Sequence, residues 1–250
     1  MSSLMGKNVL VTGATKGIGK EIVKCLFEEG ANVIGHYGRD TQSAELLLKQ
    51  YPTRLTLIQQ GLTESNAAEN VWQQALDITG RIDVLVNNAG IYVASPLADI
   101  ESWNQGWQAN LQVNLQAPAD LCRLAIQHFS SLGGGIIINM ASRSGQRGDR
   151  PEHLAYGAAK GGLLALTKGI ARGYGHQNIL AYALAPGLVR TEMAEVNIAK
   201  VGQAEFTASL PLREVTPPSD VAAMVVFLAS GRCRHATGST IDINGADYVR

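Results

Sequence analysis

Asn8-Val9-Leu10-Val11-Thr12-Gly13-Ala14-Thr15-Lys16-Gly17-Ile18-Gly19 sets a short apolar run against three glycines, and an amphipathic pattern follows. The run Asn8 to Val11 reads as a buried strand. Ile18, Ile22, Val23, Leu26 and Phe27 then fall on one helical face, and Gly30 stops that helix. Between strand and helix, Gly13 permits a sharp turn. Gly17 lets the backbone approach a pyrophosphate, and Gly19 allows close packing of helix on strand. The helix N-terminus adds unpaired N–H groups and a partial positive charge. A glycine-rich turn without a ligand is the plainer reading. The loop lies at a strand end and opens an amphipathic helix, which favours phosphate binding by Gly13, Thr15, Lys16, Gly17, Ile18 and Gly19.

The same alternation continues outward. Ala31–Ile34, Leu55–Ile58, Val84–Val86, Ile136–Ile138, Ile179–Ala183 and Thr240–Ile243 read as further strands. Helical patterns occupy 66–79, 102–129, 155–174 and 219–230. Apolar strands alternating with helices imply a parallel sheet covered on both faces. Right-handed crossovers then give a doubly wound α/β fold with a seven-stranded, mostly parallel sheet, of Rossmann type. No linker or internal repeat divides residues 1–250, so one domain is expected. Residues 192–216 carry few strand signals, with Pro211, Pro217 and Pro218 at or near their end, and suit a substrate lid.

Composition narrows the function. The 250 residues hold 21 Lys plus Arg and 21 Asp plus Glu, so no positive field draws nucleic acid or an anionic membrane. Charged residues are 17% and apolar residues 46%, which suits a large buried core. Three scattered cysteines (Cys25, Cys122, Cys233) argue against a disulfide framework and a thiolate metal site. The five histidines lack metal-site spacing and read as ordinary surface or core residues; no metal is expected. Met1 to Lys7 shows no signal-peptide core, and Val221–Ala229 is too short to span a bilayer, so a cytoplasmic protein is expected.

The second strand ends in Gly35-His36-Tyr37-Gly38-Arg39-Asp40. NAD enzymes place an acid about 20 residues past the glycines to grip the ribose hydroxyls. Tyr37 stands there instead, while Lys16 and Arg39 offer positive charge to a 2′-phosphate. Asp40 comes a few residues late and reads as a helix cap or turn residue. NADP(H) is therefore favoured over NAD(H).

Tyr156-Gly157-Ala158-Ala159-Lys160 places a phenol and an ammonium one helical turn apart. YxxxK occurs by chance in many helices. Its chemistry is nevertheless suggestive. Lowering a tyrosine by about 3 pKa units needs roughly 4 kcal/mol. A lysine about 4 Å away at an effective dielectric near 20 supplies about that. Asn87-Asn88-Ala89-Gly90 follows the fourth strand and Met140-Ala141-Ser142-Arg143-Ser144-Gly145 the fifth, so both loops should share the ligand edge with the glycine loop.

Together, TGxxxGxG at Thr12–Gly19, NNAG at Asn87–Gly90, Asn114, Ser142, Tyr156/Lys160 and PGxxxT at Pro186–Thr191 resemble the compact short-chain dehydrogenase/reductase family. The resemblance spans residues 6 to 246 and is nearest to 3-oxoacyl-carrier-protein reductases and related carbonyl reductases. It implies that Tyr156 protonates the substrate carbonyl oxygen and Ser142 orients it. It further implies that Lys160 holds the ribose and lowers Tyr156, and that Asn114 fixes a proton-relay water. Pro186, Gly187, Val189 and Thr191 would hold the nicotinamide end; Asn88, Ala89 and Gly90 would line the adenosine ribose. Tyr37, Arg39 and Leu62 complete the expected cofactor contacts. Asn110 competes with Asn114, and Ser144 with Ser142. Gln60-Gly61-Leu62-Thr63 lacks the aspartate that relatives often carry after the third strand, and Asn244-Gly245-Ala246 stands where Gly-Gly is frequent.

The substrate is less legible. Arg143, Arg147 and Arg150 crowd the loop before Tyr156, with Asp149, Glu152 and His153. They would hold an anionic substrate group or form a solvated loop. Ile91, Tyr92 and Leu188 are candidate pocket walls. A small carbonyl or alcohol is the expected substrate. An acyl carrier protein is less favoured, because Gly133–Gly135 and Gly175–Gln177 offer no Lys or Arg. Ala/Leu-rich faces of 102–129 and 155–174 suit a homotetramer, with a dimer as fallback. A dehydrogenase of a sugar or other small alcohol is an alternative. So is a catalytically silent NADP(H)-binding regulator, although the full Tyr/Lys/Ser/Asn set argues against it. Sugar epimerases and dehydratases tend to carry an added substrate domain, and none is expected in these 250 residues.

Overall fold

The computed structural model describes residues 4–250, with side chains except those of Met193 and Asn197. Met1, Ser2 and Ser3 of the N-terminal stretch lie outside it. Seven strands form one sheet: β1 (Asn8–Thr12), β2 (Asn32–Tyr37), β3 (Leu55–Gln59), β4 (Val84–Asn87), β5 (Gly135–Met140), β6 (Ile179–Pro186) and β7 (Thr240–Ile243). Their order is β3-β2-β1-β4-β5-β6-β7, and every pairing is parallel. All strand C-terminal ends therefore reach one edge, where the order reverses between β1 and β4 and opens a crevice.

Strand residues alternate between two cores, as the two-residue period demands. Val9 and Val11 join one with Val84, Val86 and Ile138. Leu10, Leu85 and Ile137 join the other. The first core is covered by α1 (Gly17–Glu28), α2 (Thr41–Gln50) and α10 (Pro218–Ala229), which supply Ile22, Leu26, Leu47, Val221 and Val225. The second is covered by α3 (Ala67–Thr79), α5 (Ala117–Leu132) and α7 (Leu154–Tyr174), through Val71, Leu121, Phe129 and Ile170. Gly30 ends the first αβ unit with φ +87°, a left-handed conformation that glycine adopts without a Cβ clash.

Several boundaries differ from the sequence expectation. All strands but β7 run longer at their C-terminal ends, most clearly β2 and β6, because parallel pairing carries them past their β-branched cores. The helix expected over 102–129 is three pieces: α4 (Ile100–Leu111), a π turn (Gln112–Gln116) and α5. Pro118 sits in the first turn of α5 and has no N–H to donate into the preceding turn. Its ring would also crowd the carbonyl of Asn114 four residues back, and widening the helix there relieves that contact. α2 had no counterpart in the periodicity; Asp40 caps it by accepting from the Ser43 N–H at 2.9 Å. Residues 192–216 hold α8 (Glu192–Val201) and α9 (Gln203–Phe206), while α4 to α7 also include the short α6 (Ser144–Arg147). Among the described residues, no helix is long and apolar enough to cross a membrane.

Candidate active site

The glycine loop is built by contacts with the loop after β4. The Thr12 hydroxyl accepts from the N–H groups of Asn88 and Ala89, each at 3.0 Å. The Asn88 amide donates to the Thr12 and Gly13 carbonyls, each at 3.0 Å. Gly13 (φ +64°) passes so near that a Cβ there would lie 2.9 Å from Ala89 Cα. A Cβ on Gly19 would lie 1.9 Å from the Gly13 carbonyl oxygen, which no side chain tolerates. α1 opens at Gly17 with no side-chain cap. Its first N–H groups therefore remain available to a phosphate.

A cavity of about 870 Å³ follows this loop. Gly13, Thr15, Lys16, Gly17, Ile18 and Gly19 form one end, with Tyr37, Arg39 and Leu62 beside them and Asn88, Ala89 and Gly90 opposite. These residues and Thr191 are the part of the expected cofactor set that lines this cavity, whereas Tyr156, Lys160, Pro186, Gly187 and Val189 do not; the uncapped helix end and closely approached glycines fit a dinucleotide. His36, passed over in the sequence as an ordinary core residue, also lines it. Its Nδ1 accepts from the Gly13 N–H at 3.4 Å, and its Nε2 lies 2.7 Å from the Gln60 carbonyl oxygen. Those partners select the tautomer protonated on Nε2. Burial holds the imidazole below its ordinary pKa, so the neutral ring braces the glycine loop.

The charge at the adenosine end differs from the sequence picture. Lys16 is paired with Asp40 and has Glu192 3.9 Å away. A carboxylate therefore does border the cavity. Hydrogen bonding from Lys16, then from Ser43, lowers Asp40 to about 2. Arg39 is exposed and has no acidic partner among the described residues.

A second cleft, of about 1060 Å³, is lined by Ser142, Tyr156, Gly187, Val189 and Thr191, among others. Thr191 borders both cavities. Pro186 lines neither; it ends β6, and its carbonyl accepts from the Arg143 N–H at 3.2 Å. The Ser142 hydroxyl accepts from the Ser144 N–H at 3.1 Å, so Ser144 supports Ser142 through its backbone.

Lys160 and Asn114 lie beside Gly90. Both are buried, at 3% and 0% exposure. A Cβ on Gly90 would fall 2.9 Å from Asn114 Oδ1 and 3.5 Å from Lys160 Nζ, so the missing side chain leaves both atoms facing one space. Asn114 sits in the π turn, accepts from the Ile91 N–H at 3.0 Å and donates to the Ile91 carbonyl at 2.9 Å. It also donates to Asn110 Oδ1 at 3.2 Å. Asn110 is held in turn by the Val93 and Gly106 carbonyls, so the two asparagines form a chain rather than alternatives.

The electrostatics expected of the Tyr156/Lys160 pair need correction. Lys160 Nζ lies 5.7 Å from the Tyr156 ring centre and donates to the Met140 carbonyl at 2.7 Å. Burial lowers Lys160 to about 8. Tyr156 moves upward, not downward: burial raises it, and the Ser142 hydroxyl opposes that only partly. Lys160 is engaged by the carbonyl at the end of β5 and is not among the groups that shift Tyr156. Tyr156 thus stands as a neutral phenol, the form that donates a proton.

Comparison with known proteins agrees with this geometry. A family model described as Enoyl-(Acyl carrier protein) reductase matches residues 13–245. A 3-oxoacyl-[acyl-carrier-protein] reductase FabG of Staphylococcus aureus is 32% identical over 248 residues, 98% of this chain and 99% of the relative. The enzyme of the same name from Chlamydia pneumoniae is 32% identical over 246 residues, 97% of each chain. A 3beta-hydroxysteroid dehydrogenase 1 of Eggerthella lenta is 33% identical over 250 residues, 97% of this chain and 94% of the relative. With a family match over nearly its whole length and a glycine loop, buried lysine and tyrosine cleft at one sheet edge, the chain belongs to the short-chain dehydrogenase/reductase family, oxidoreductases acting on CH–OH and carbonyl groups.

Proposed function

We propose that this protein is an NADPH-dependent reductase that converts a ketone, of 3-oxoacyl or related type, to a secondary alcohol. The observation that carries the reading is that the two cavities adjoin at Thr191, with Ser142 and Tyr156 lining one and the glycine loop the other. A nicotinamide cofactor, when bound, would supply the hydride for the carbonyl carbon. Tyr156 donates its phenolic proton to the carbonyl oxygen, and Ser142 orients that oxygen by a hydrogen bond. Lys160 restores the proton to Tyr156, with Asn114 Oδ1 facing the same space above Gly90. Gly187, Val189 and Thr191, which line the cleft, would hold the nicotinamide end; Pro186 ends the strand before them.

Arg39 is the group that favours a 2′-phosphate, since Lys16 is already engaged by Asp40. The whole chain acts as one cofactor-binding domain. Segment 192–216 serves as its lid, because Ala194, Lys200, Val201, Glu205, Phe206 and Leu210 all face the substrate cleft. The substrate arrives as a small molecule rather than on a carrier protein.

Oxidation of NADPH with a panel of 3-oxo esters, followed by absorbance, tests the reading. Tyr156→Phe is expected to abolish turnover, by about a hundredfold or more, while NADPH binding persists. A variant that turns over at the wild-type rate would remove Tyr156 from the chemistry.

A further inference from the structure

We propose that the substrate carries a carboxylate, which Arg147 and Arg150 recognise on the wall of the cleft that holds Ser142 and Tyr156. The inference rests on the reductase reading and names its substrate class.

The two arginines flank a short loop that is braced against the reacting side chains. Gly148, at φ +84°, turns the chain between Arg147 and Asp149. The Tyr92 hydroxyl donates to Asp149 Oδ1 at 3.1 Å. One face of Tyr92 stacks on His153 at 3.7 Å between ring centres, and its ring meets Tyr156 edge-on at 4.9 Å. The Asp149 backbone also packs on α7 beside Gly157, whose Cβ would lie 3.5 Å from the Asp149 N–H nitrogen. Loop 147–150 is thereby fixed from both sides next to Tyr156.

Arg143, Arg147, Arg150 and Lys200 line the cleft, against Asp149, Glu205 and Asp247. Asp247 is already paired with Arg143, and Asp149 is committed to Tyr92 and to the Arg150 N–H at 2.7 Å. Arg147 and Arg150 are exposed and have no ion-pair partner among the described residues. Burial first, then Arg147, holds Arg143 below its ordinary range; Asp149 and Tyr92 oppose this, and Arg150 adds to it. Such like-charge crowding is relieved by an anion, and planar guanidinium groups match a carboxylate by paired N–H donors. The cations outnumber the carboxylates by a single charge, which suits a carboxylate better than a dianionic phosphate. Solvated loop charges would not require the Tyr92–Asp149 brace.

Matched acids and esters test this. Acetoacetate and 4-oxopentanoate are compared with their ethyl esters as NADPH-dependent substrates of the wild-type enzyme and of the double variant Arg147→Met, Arg150→Met. Binding of the two acids to the enzyme with NADP⁺ is measured by calorimetry. The wild type should prefer acid to ester at least tenfold in kcat/KM. The double variant should lose at least tenfold of that ratio and bind both acids at least tenfold more weakly. Arg147→Lys with Arg150→Lys should recover part of the binding. An unchanged acid-to-ester ratio, or equal acid binding by wild type and double variant, would overturn the proposal. So would a double variant impaired only toward acetoacetyl carrier protein, which would assign the arginines to protein docking. Failure of the reductase reading is separable: no carbonyl is then reduced, while arginine-dependent acid binding persists.

Discussion

Lys160 is a buried ammonium whose hydrogen-bond partner is a carbonyl rather than a carboxylate. Its pKa falls from 10.5 to about 8, a difference worth on the order of 3 kcal/mol. Between those values the unfolded chain binds more protons than the folded one, so this group's contribution raises stability as pH rises through that window. The Tm difference between Lys160→Met and wild type is therefore expected to change between about pH 8 and 10.5, with wild type gaining; a constant difference would contradict the buried charge. Reduction needs the protonated lysine behind Tyr156, so kcat/KM should fall above about pH 8. At the other end of the cofactor cavity, Asp40 and Lys16 offset one another. Arg39→Asp should weaken NADPH at least tenfold more than NADH, whereas Asp40→Asn should free Lys16 and shift the KM ratio toward NADPH. Equal effects on both cofactors would remove the basis for the NADPH preference.

At the scale of elements, the π turn Gln112–Gln116 decides where Asn114 points. Its cause is Pro118, which the sequence displays, but its effect on helix register is a matter of packing. Pro118→Ala would let the helix close to a regular turn and rotate Asn114 away from the space above Gly90. Turnover should drop by between about ten- and a hundredfold, with folding intact by thermal denaturation. Wild-type kcat in this variant would detach the π turn from catalysis. YxxxK shows the same limit of legibility. The spacing put Tyr156 and Lys160 on one helix face, yet their separation and the upward shift of Tyr156 depend on Met140 and on burial, which come from β5 and the surrounding core.

For the molecule as a whole, we expect a homotetramer built on α4, α5 and α7. Trp103 and Trp107 stack at 5.2 Å on α4, and the neighbouring Leu97 and Ile100 are 69% and 72% exposed. Apolar surface of that kind suits association with a second copy. Sedimentation at micromolar concentration should give four times the 26.6 kDa chain mass; a monomeric mass would refute it.

The sheet, its parallel sense and the loops at its C-terminal edge were legible in the sequence, because apolar strands alternating with amphipathic helices have few other ways to bury both strand faces. The glycine loop was equally legible, since only glycine survives the close approaches at positions 13 and 19. Charge partners were not. Asp40 on Lys16, Asp247 on Arg143, the neutral His36 under the glycine loop and the turn of Lys160 toward Met140 join residues from separate elements. Local pattern fixes which residues reach the sheet edge. Only the packed chain decides which of them meet, because distance and burial, rather than sequence spacing, set the strength of an electrostatic contact.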